Sequence, residues 1–417
     1  MINLRTIKYY FITANFLLLL FICCNPSNLK SDQVLTAILD KDAATISVFV
    51  GNKNQPIVVQ NARSGFRPYL HPIAPPDGKG LLTENSPEHH AHQTGLYWGF
   101  TRVNGRAMGL DSLMEFFYES KTKEQIAIKG RDYFHNPGED YWKRVSFDVI
   151  DSVGEKVSWQ TVYLMLDENG EPLMKETQVW SAQVLEEQYL LELEWTGEAI
   201  EEVVIGEMKY GGMFLRMPWK EGINGEVVNF SRQKNEKAEG QQSLWMDVGM
   251  QVEGRDDLAH IAIFDHPDNR GFPQTWRVDS QFGVGPSRAI MGDWKILKGE
   301  SEIIKHGLVV YTGELNDLDL TEKWKGYIGD DNLYATAGLW EIAQEAGFEA
   351  RFLTADKQVD EMTVTGGYKV NAWASEPMIT QPMAFVGMTK GDCGLLKIEI
   401  MSHAAVASQD LETVESL

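Results

Sequence analysis

Short runs of β-branched and aromatic residues, separated by turn signals, recur between about residue 44 and residue 315. Each run has the length and composition of a strand, and the turns between them are rich in Gly, Pro, Asn and Asp. The runs are TISVFV, PIVVQ, KVSWQTVYLML, KETQVWSAQV, QYLLELEW, EVVIGEMKY, AHIAIFD and HGLVVYTGEL. This pattern predicts an all-β fold, a sandwich or a barrel, and we expect a large β-sandwich.

The character of the chain changes near residue 320. Residues 332–353 carry apolar side chains at helical spacing, which predicts a short helical segment near the C-terminus. We expect the following layout: 1–24 signal peptide, 25–43 linker, 44–318 β-sandwich domain, 319–386 helix and linker, 387–417 disordered tail. Within the sandwich, Asn169-Gly170 lies between two strand runs and predicts a long hairpin.

The N-terminus has the features of an export signal. Arg5 and Lys8 precede an apolar run from Phe11 to Cys24 that is shorter than a membrane-spanning helix requires. The run ends in Cys23 and Cys24, a position typical of lipoprotein processing, although a plain secretory signal or an uncleaved anchor stays an alternative. We therefore expect the protein in the periplasm or at the cell surface, with a possible lipid anchor at either cysteine.

Charge and cysteine content restrict the partners. The chain has 60 acidic and 38 basic residues and a formal net charge of −22. A surface of this sign repels phosphate backbones, which argues against nucleic acid. Cys393 is the one cysteine outside the signal, so the sequence predicts a fold that is not held by disulfides.

Four of the nine histidines lie between positions 71 and 92. On a strand, His90 and His92 would share one face, near Arg67 and His71 in the sequence. Imidazoles suit general acid and base catalysis at a sugar hydroxyl, or a divalent metal ion together with a carboxylate. The alternative is that these histidines cap loops and bond to the backbone.

A second candidate segment is GEMKYGGMFLRMPW. On a strand, Glu207 and Lys209 would share a face, followed by Tyr210, a Gly-Gly pair and Arg216. The glycines allow a bulge or the close approach of a ligand. A bend at a sheet edge with a surface ion pair is the alternative.

A third candidate segment is IAIFDHPDNRGFPQTWRV. Asp265 and His266 follow a strand and enter a turn, where an acid and an imidazole are well placed to act in a cleft. Trp276 presents a flat ring on which a sugar can stack. The alternative is turn chemistry at Asp265 with Trp276 in the core.

In their order along the chain, FRPYLHP, HHAHQTGLYWGFTRVNG, GEMKYGGMFLRMP and FDHPDNRGFPQTWRV resemble the DUF6807 family, also labelled "methane oxygenase PmoA". The resemblance covers about residues 40–315. It implies a β-supersandwich similar to galactose mutarotase. The positions that match the family are His90, His92, Glu207, Lys209, Arg216 and His266. One histidine and one basic residue of the family pattern are missing after His90, which weakens a carried-over metal or phosphate role.

We therefore expect an exported protein that acts on or binds a saccharide. The expected catalytic residues are His90, His92, Glu207, Asp265 and His266, and the expected substrate-binding residues are Arg67, His71, Lys209, Tyr210, Arg216 and Trp276. No cofactor is assigned, although a divalent metal at the histidines stays possible. The alternatives are a non-catalytic glycan-binding module and a metal-dependent oxygenase; the long apolar helices of a particulate oxygenase subunit are absent after the signal.

The segment GGYKVNAWASEPMITQPMAFV resembles the entry to the β-propeller of membrane-bound dehydrogenase-like proteins. The residues after it do not continue that pattern. We therefore expect a frameshift near Phe385 to have truncated a longer fusion, which leaves Cys393 and the residues after it without a fold.

Overall fold

The computed structural model describes residues 34–105, 128–329, 384–387 and 393–396. These residues form strands and one α-helix, α1 (Asp317–Ile328). The strands in chain order are β1 (Leu35–Asp40), β2 (Thr45–Val50), β3 (Val58–Asn61), β4 (Tyr69–Ile73), β5 (Leu96–Gly99), β6 (Trp142–Asp151), β7 (Val153–Gly154), β8 (Lys156–Leu166), β9 (Pro172–Leu185), β10 (Gln188–Ala199), β11 (Val203–Ile205), β12 (Gly212–Leu215), β13 (Gly225–Asn229), β14 (Trp245–Met250), β15 (Ala259–Asp265), β16 (Trp276–Val278), β17 (Val284–Pro286), β18 (Trp294–Ile296), β19 (Ser301–Thr312), β20 (Ala384–Gly387) and β21 (Cys393–Leu396).

Two large antiparallel sheets contain most of these strands. The nine-stranded sheet has the order β16-β17-β12-β5-β4-β3-β2-β1-β7, and the eight-stranded sheet has the order β13-β14-β15-β19-β10-β9-β8-β6. β11 pairs with β18, and β20 pairs with β21. The chain is therefore mostly β with one short helix described near residue 320, as the sequence predicts.

The two large sheets pack face to face around one apolar core. Trp98 of the nine-stranded sheet stacks on Trp195 of the eight-stranded sheet, with ring centroids 4.7 Å apart. The indole N–H of Trp159 donates to Gln60 Oε1 at 3.2 Å, which links the sheets a second time. The side chains on both inner faces are buried, so the architecture is a β-sandwich.

The long strands follow from alternating burial. Along β9, buried side chains alternate with partly exposed ones from Met174 to Trp180, as the period of a half-buried strand requires, and Glu176 and Gln178 are polar residues among the buried ones. Asp167 accepts from the backbone N–H groups of Asn169 and Glu171 at 2.8 Å, and Gly170 has a φ of +81°. These contacts form the turn between β8 and β9, so the predicted hairpin at Asn169-Gly170 is present.

Helix α1 closes one side of the eight-stranded sheet. Trp324 is fully buried, its indole N–H donates to the carbonyl of Asp265 at 2.8 Å, and its ring stacks on Phe272. The helix therefore fixes the loop that follows β15. No helix within the described ranges 34–105 and 128–329 has the length and apolar character that crossing a bilayer requires.

Several predictions from the sequence concern residues outside the described ranges or differ from what the structure shows. The signal (1–24), both of its cysteines and the expected helix at 332–353 lie outside the described residues. β1 lies inside the segment predicted as a linker. The chain divides into Met1–Ile328 and Gly329–Leu417. In the second unit, β20 and β21 form an antiparallel hairpin that includes Cys393, a residue that we expected to have no fold.

Gly95 is required where the chain enters β5. Its φ is +71°, and a Cβ there would lie 2.4 Å from the carbonyl oxygen of Leu70. We expect Gly95→Ala to lower the free energy of unfolding by about 2–4 kcal/mol, from backbone strain plus the clash. Gly170→Ala is the matched control, because Gly170 also has a positive φ but open space around it. Urea denaturation of both variants measures the difference, and equal losses would contradict the role of the close approach.

Candidate functional site

The nine-stranded sheet has a second buried face, opposite the sandwich core. Leu96 and Trp98 of β5 point into the core, whereas Tyr97 between them points to the other side. Tyr97 pairs with Tyr69 on one neighbouring strand and with Phe214 on the other. Together with Phe134 these side chains form a separate buried cluster, which we call the aromatic floor: Tyr69, Tyr97, Phe134 and Phe214.

Three histidines lie over this floor, and we call them the histidine cluster: His90, His92 and His135. The ring of His92 is 4.4 Å from that of His135 and 5.8 Å from that of His90, centroid to centroid. It also lies 6.1 Å from the ring of Phe134. Tyr210 closes the group, because its ring is 5.4 Å from His135 and 4.8 Å from Phe134.

The local structure around His90 differs from the strand that the sequence analysis considered. Glu88–His90 is a 3₁₀ turn that starts after Pro87. The N–H of His90 donates to the carbonyl of Pro87, and the N–H of Gln93 donates to the carbonyl of His90, both at 2.9 Å. A chain that satisfies its backbone inside a turn cannot also pair in a sheet, and the turn brings His90 and His92 together in place of the expected shared strand face.

His135 was not singled out from the sequence. Its Nδ1 lies 2.8 Å from Asp132 Oδ2, and its backbone N–H donates to Asp132 Oδ1 at 3.1 Å. The carboxylate therefore holds the imidazole in one orientation, as an acid–base histidine requires. An aspartate three residues before a histidine in RDYFHNP is the one local signal, and it is weak alone.

Arg67 joins the loops that carry the cluster. It is fully buried, and its guanidinium donates to the carbonyls of His92 and Phe134 and to Thr94 Oγ1. The same group lies 3.6 Å above the ring centroid of Tyr97. Burial lowers the pKa of Arg67 to about 10, so it stays charged at neutral pH.

Arg216 follows β12 and is also fully buried. It donates to Asp279 Oδ2 at 2.8 Å, to the carbonyl of Gln281 at 2.6 Å and to Gln93 Oε1. The Asp279 contact makes this a buried ion pair, whereas the acceptors of Arg67 are neutral. Gln93 connects Arg216 to the turn that carries His90 and His92.

His92 is held in its neutral form. Burial lowers its pKa to about 2, and the positive charges of His135, Arg67, His90 and Arg216 act in the same direction. A neutral imidazole at neutral pH can accept a proton or a hydrogen bond. His92 is therefore the candidate proton acceptor of the site.

The structure thus brings together five of the residues expected from the sequence, which are Arg67, His90, His92, Tyr210 and Arg216. It adds His135, Asp132 and the aromatic floor. Glu207 and Lys209 are exposed in the segment between β11 and β12, not on a strand. The backbone N–H of Glu207 donates to Asp293 Oδ1 at 2.5 Å.

His71 lies on β4, and its Nδ1 is 3.0 Å from Thr83 Oγ1. Burial lowers the pKa of His71, so a neutral imidazole is favoured there too.

Asp265 and Trp276 of the third candidate segment have structural roles inside the protein. Asp265 is fully buried and accepts from His266 N, Asn269 Nδ2 and Gln274 N, at 3.0, 2.7 and 2.7 Å. Trp276 is fully buried as well, and its indole N–H donates to the carbonyl of Ser243. Neither side chain has surface available to a ligand, since both are enclosed in the core.

His266 lines a different cavity, of about 370 Å³, on the eight-stranded sheet. Its ring lies 5.3 Å from that of Tyr327. The cationic side chains of this cavity already have anionic partners: Lys305 binds Asp268, and Lys156 binds Glu192. Among the residues that line this cavity, His266 is the one imidazole, whereas the histidine cluster has three.

Within the part of the chain that the structure describes, no group of three or more His, Cys, Asp or Glu side chains has an arrangement that could hold a metal ion.

Solved structures with partial similarity include carbohydrate-related proteins. An α-galactosidase, AgaB, from Geobacillus stearothermophilus matches at 9% identity over 67% of this chain, with a TM-score of 0.31, and this chain spans 41% of its length. A galactose mutarotase-like protein from Lactobacillus casei matches at 8% identity over 66% of this chain and 100% of its own, with a TM-score of 0.29. A galactose mutarotase-related enzyme from Lactobacillus acidophilus matches at 7% identity over 66% and 97%, with a TM-score of 0.28.

Among curated proteins, none matches the sequence. Residues 54–325, which contain the histidine cluster, Arg67, Arg216 and the aromatic floor, match the model of a family described as a family of unknown function, DUF6807. The chain belongs to the DUF6807 family.

Proposed function

We propose that this protein binds a saccharide on the outer face of the nine-stranded sheet and that His92 and His135 exchange protons with it. The observation that carries the proposal is the 4.4 Å approach of these two imidazoles above a buried aromatic floor. Sugars present C–H faces that pack on aromatic rings and hydroxyl groups that bond to polar side chains. The partly exposed rings of Phe66 and Tyr210, which pack on the buried floor, offer the first kind of surface, and the histidines offer the second.

The two imidazoles have different surroundings, which supports different roles. His92 is neutral, because burial and the neighbouring cations disfavour its charged form. Its unprotonated ring nitrogen accepts a hydrogen bond from a sugar hydroxyl, and we assign it the role of proton acceptor. His135 is held by Asp132 at 2.8 Å, and a carboxylate in that position fixes the orientation of the imidazole. His135 therefore returns the proton, and the chemistry is acid–base catalysis of the kind used in epimerisation or elimination.

Hydrolysis by paired carboxylates has less support. Both oxygens of Asp265 are occupied by hydrogen bonds inside the core. Glu207 is exposed in a different segment, next to Asp293. Glycoside hydrolysis requires two carboxyl groups that flank one bond at a defined separation, and these two residues do not provide that arrangement.

The test is a glycan panel with the full chain, in which binding is measured by calorimetry and conversion by NMR. We expect His92→Ala and His135→Ala each to lower affinity or turnover about tenfold or more, because each removes a polar contact to the ligand. His266→Ala is the matched control, a partly buried histidine that lines the other cavity. Loss in His266→Ala with an unchanged His92→Ala would move the site to that cavity, and binding without conversion would make the protein a glycan-binding module.

We also propose that the chain is exported and tethered by lipid at Cys23 or Cys24. The support is the charged start, the apolar run and the cysteines that end it. Cell fractionation and fatty-acid labelling of the Cys23→Ala, Cys24→Ala double variant test it. Labelling that persists in the double variant would rule out the tether.

A further inference from the structure

The charges beneath the histidine cluster are the starting point. The whole chain is strongly acidic, with a formal net charge of −22. At this one place, however, two arginines are fully buried under three imidazoles. Burying a cation costs several kcal/mol unless an anion or good hydrogen bonds offset it. Two of the basic residues of this acidic chain therefore lie where the desolvation cost of a cation is high.

The nearby carboxylates do not offset both arginines. Asp279 is in contact with Arg216 at 2.8 Å, and Asp132 is bonded to His135 at 2.8 Å. The hydrogen bonds of Arg67 all go to neutral oxygens, namely backbone carbonyls and the Thr94 hydroxyl. These bonds satisfy its N–H groups and leave its charge without a carboxylate in contact. Asp132 and the buried Glu176, whose pKa burial raises to about 7, act on Arg67 only through space.

Exposed cations lie next to the aromatic residues at the edge of the floor. The guanidinium of Arg63 lies 4.1 Å above the ring of Phe66, which packs against the floor. Lys209 is exposed and precedes Tyr210, which packs against the floor as well. An anion that approaches this face meets these exposed cations first and the buried ones after them.

Acidic residues of the same segments weaken this field only slightly. Glu88 and Glu207 are exposed, and water and salt screen exposed charges within about 10 Å at 0.1 M salt. The buried guanidinium groups act through a medium of lower polarity, where the same charge has a larger effect. The charges of Arg67 and Arg216 therefore act more strongly at His92 than those of the exposed Glu88 and Glu207.

From this placement we propose that the saccharide taken by the histidine cluster is acidic, a uronate whose carboxylate binds at His90, His92 and His135 above Arg67. This inference rests on the proposed saccharide function and narrows its ligand class. The carboxylate supplies the counter-charge that the Arg67 guanidinium lacks in direct contact, while the sugar ring lies along the partly exposed rings of Phe66 and Tyr210. Arg67 is buried and acts through its field, so it is a positioning residue.

The experiment uses the full chain and pairs of probes that differ in charge alone. The probes are oligosaccharides of galacturonate, glucuronate and mannuronate, each beside its carboxyl-reduced, neutral counterpart. We expect at least one uronate to bind about tenfold more tightly than its reduced form, and the preference to shrink as salt is raised. The double variant Arg63→Gln, Lys209→Gln leaves the buried residues intact, and we expect it to weaken uronate binding about two- to fivefold with no change for the reduced probe.

Two outcomes overturn the inference in different ways. Neutral probes that bind as tightly as the uronates would leave the saccharide function standing and remove the acidic ligand. No binding of any probe, charged or neutral, would remove both. Equal weakening of charged and neutral probes in the Arg63→Gln, Lys209→Gln variant would show that these exposed cations stabilise the local structure and do not attract the carboxylate.

Discussion

Replacing Arg67 with methionine is expected to lower the free energy of unfolding by about 3–5 kcal/mol, because several buried acceptors lose their donor at once. Arg67 donates to the carbonyls of His92 and Phe134 and to Thr94 Oγ1 from a fully buried position. Methionine has similar length but no donor, so these oxygens stay buried without a partner. Urea denaturation followed by circular dichroism measures the loss.

The control for this substitution is Arg63→Met. Arg63 lies four residues earlier and is exposed, with its guanidinium over Phe66. Its replacement is expected to cost about 1 kcal/mol or less, as for other exposed cation–aromatic contacts. Arg67→Lys keeps the charge but not the planar fork, and an intermediate loss is expected. If Arg67→Met were as stable as Arg63→Met, Arg67 would not hold the loops of the site together.

The second large effect concerns Asp265 and pH. Burial raises the pKa of Asp265 from 3.8 to about 7, against three hydrogen bonds that favour the carboxylate. Between about pH 4 and pH 7 the unfolded chain has released this proton while the folded chain retains it. Stability from this group is therefore complete below the unfolded pKa and is lost as pH rises to the folded one. Relative to Asp265→Asn, the wild type is expected to lose about 4 kcal/mol over that range.

The measurement is the free energy of unfolding of both proteins at several pH values, taken as a difference. The difference removes the contribution of His92, whose lowered pKa acts in the opposite direction in both proteins. Asp268→Asn is the control, because a hydrogen bond from Lys305 lowers the pKa of Asp268 and gives the opposite sign. A pH-independent difference between wild type and Asp265→Asn would contradict the raised pKa.

The strands show how far sequence patterns reach. The hairpin of β8 and β9 is predicted by its two alternating runs and by Asn169-Gly170, all of which are local signals. The turn at Glu88–His90 is not predicted by local signals, because a histidine-rich segment has no strong preference between strand and turn. The hydrogen bonds of Arg216 to Gln93 and of Arg67 to the carbonyl of His92 favour the turn. A local pattern predicts the secondary structure of a segment whose conformation depends on its own residues. It fails for a segment whose backbone is fixed by side chains that are distant in the sequence.

The same division applies to the three candidate segments. Arg67, His92 and Arg216 were selected because they stand in unusual clusters, and the sheet brings them together. Asp265 and Trp276 stand in an equally unusual cluster, yet they are enclosed in the core. Burial depends on which face of which sheet a residue meets, and the composition of its own segment contains no information about the opposite sheet.

By itself, the sequence determined the β class of this protein, its main hairpin and a set of basic and histidine residues able to form a site. The tertiary structure decided which of them meet. Tyr97 and Trp98 are neighbours on β5, yet one lies in the aromatic floor and the other in the sandwich core, because successive side chains of a strand point to opposite faces. His135 lies in the site, although it is more than forty residues after His92, because the loop that carries it packs beside β5. That packing depends on residues from separate segments, so no single segment of the sequence predicts it.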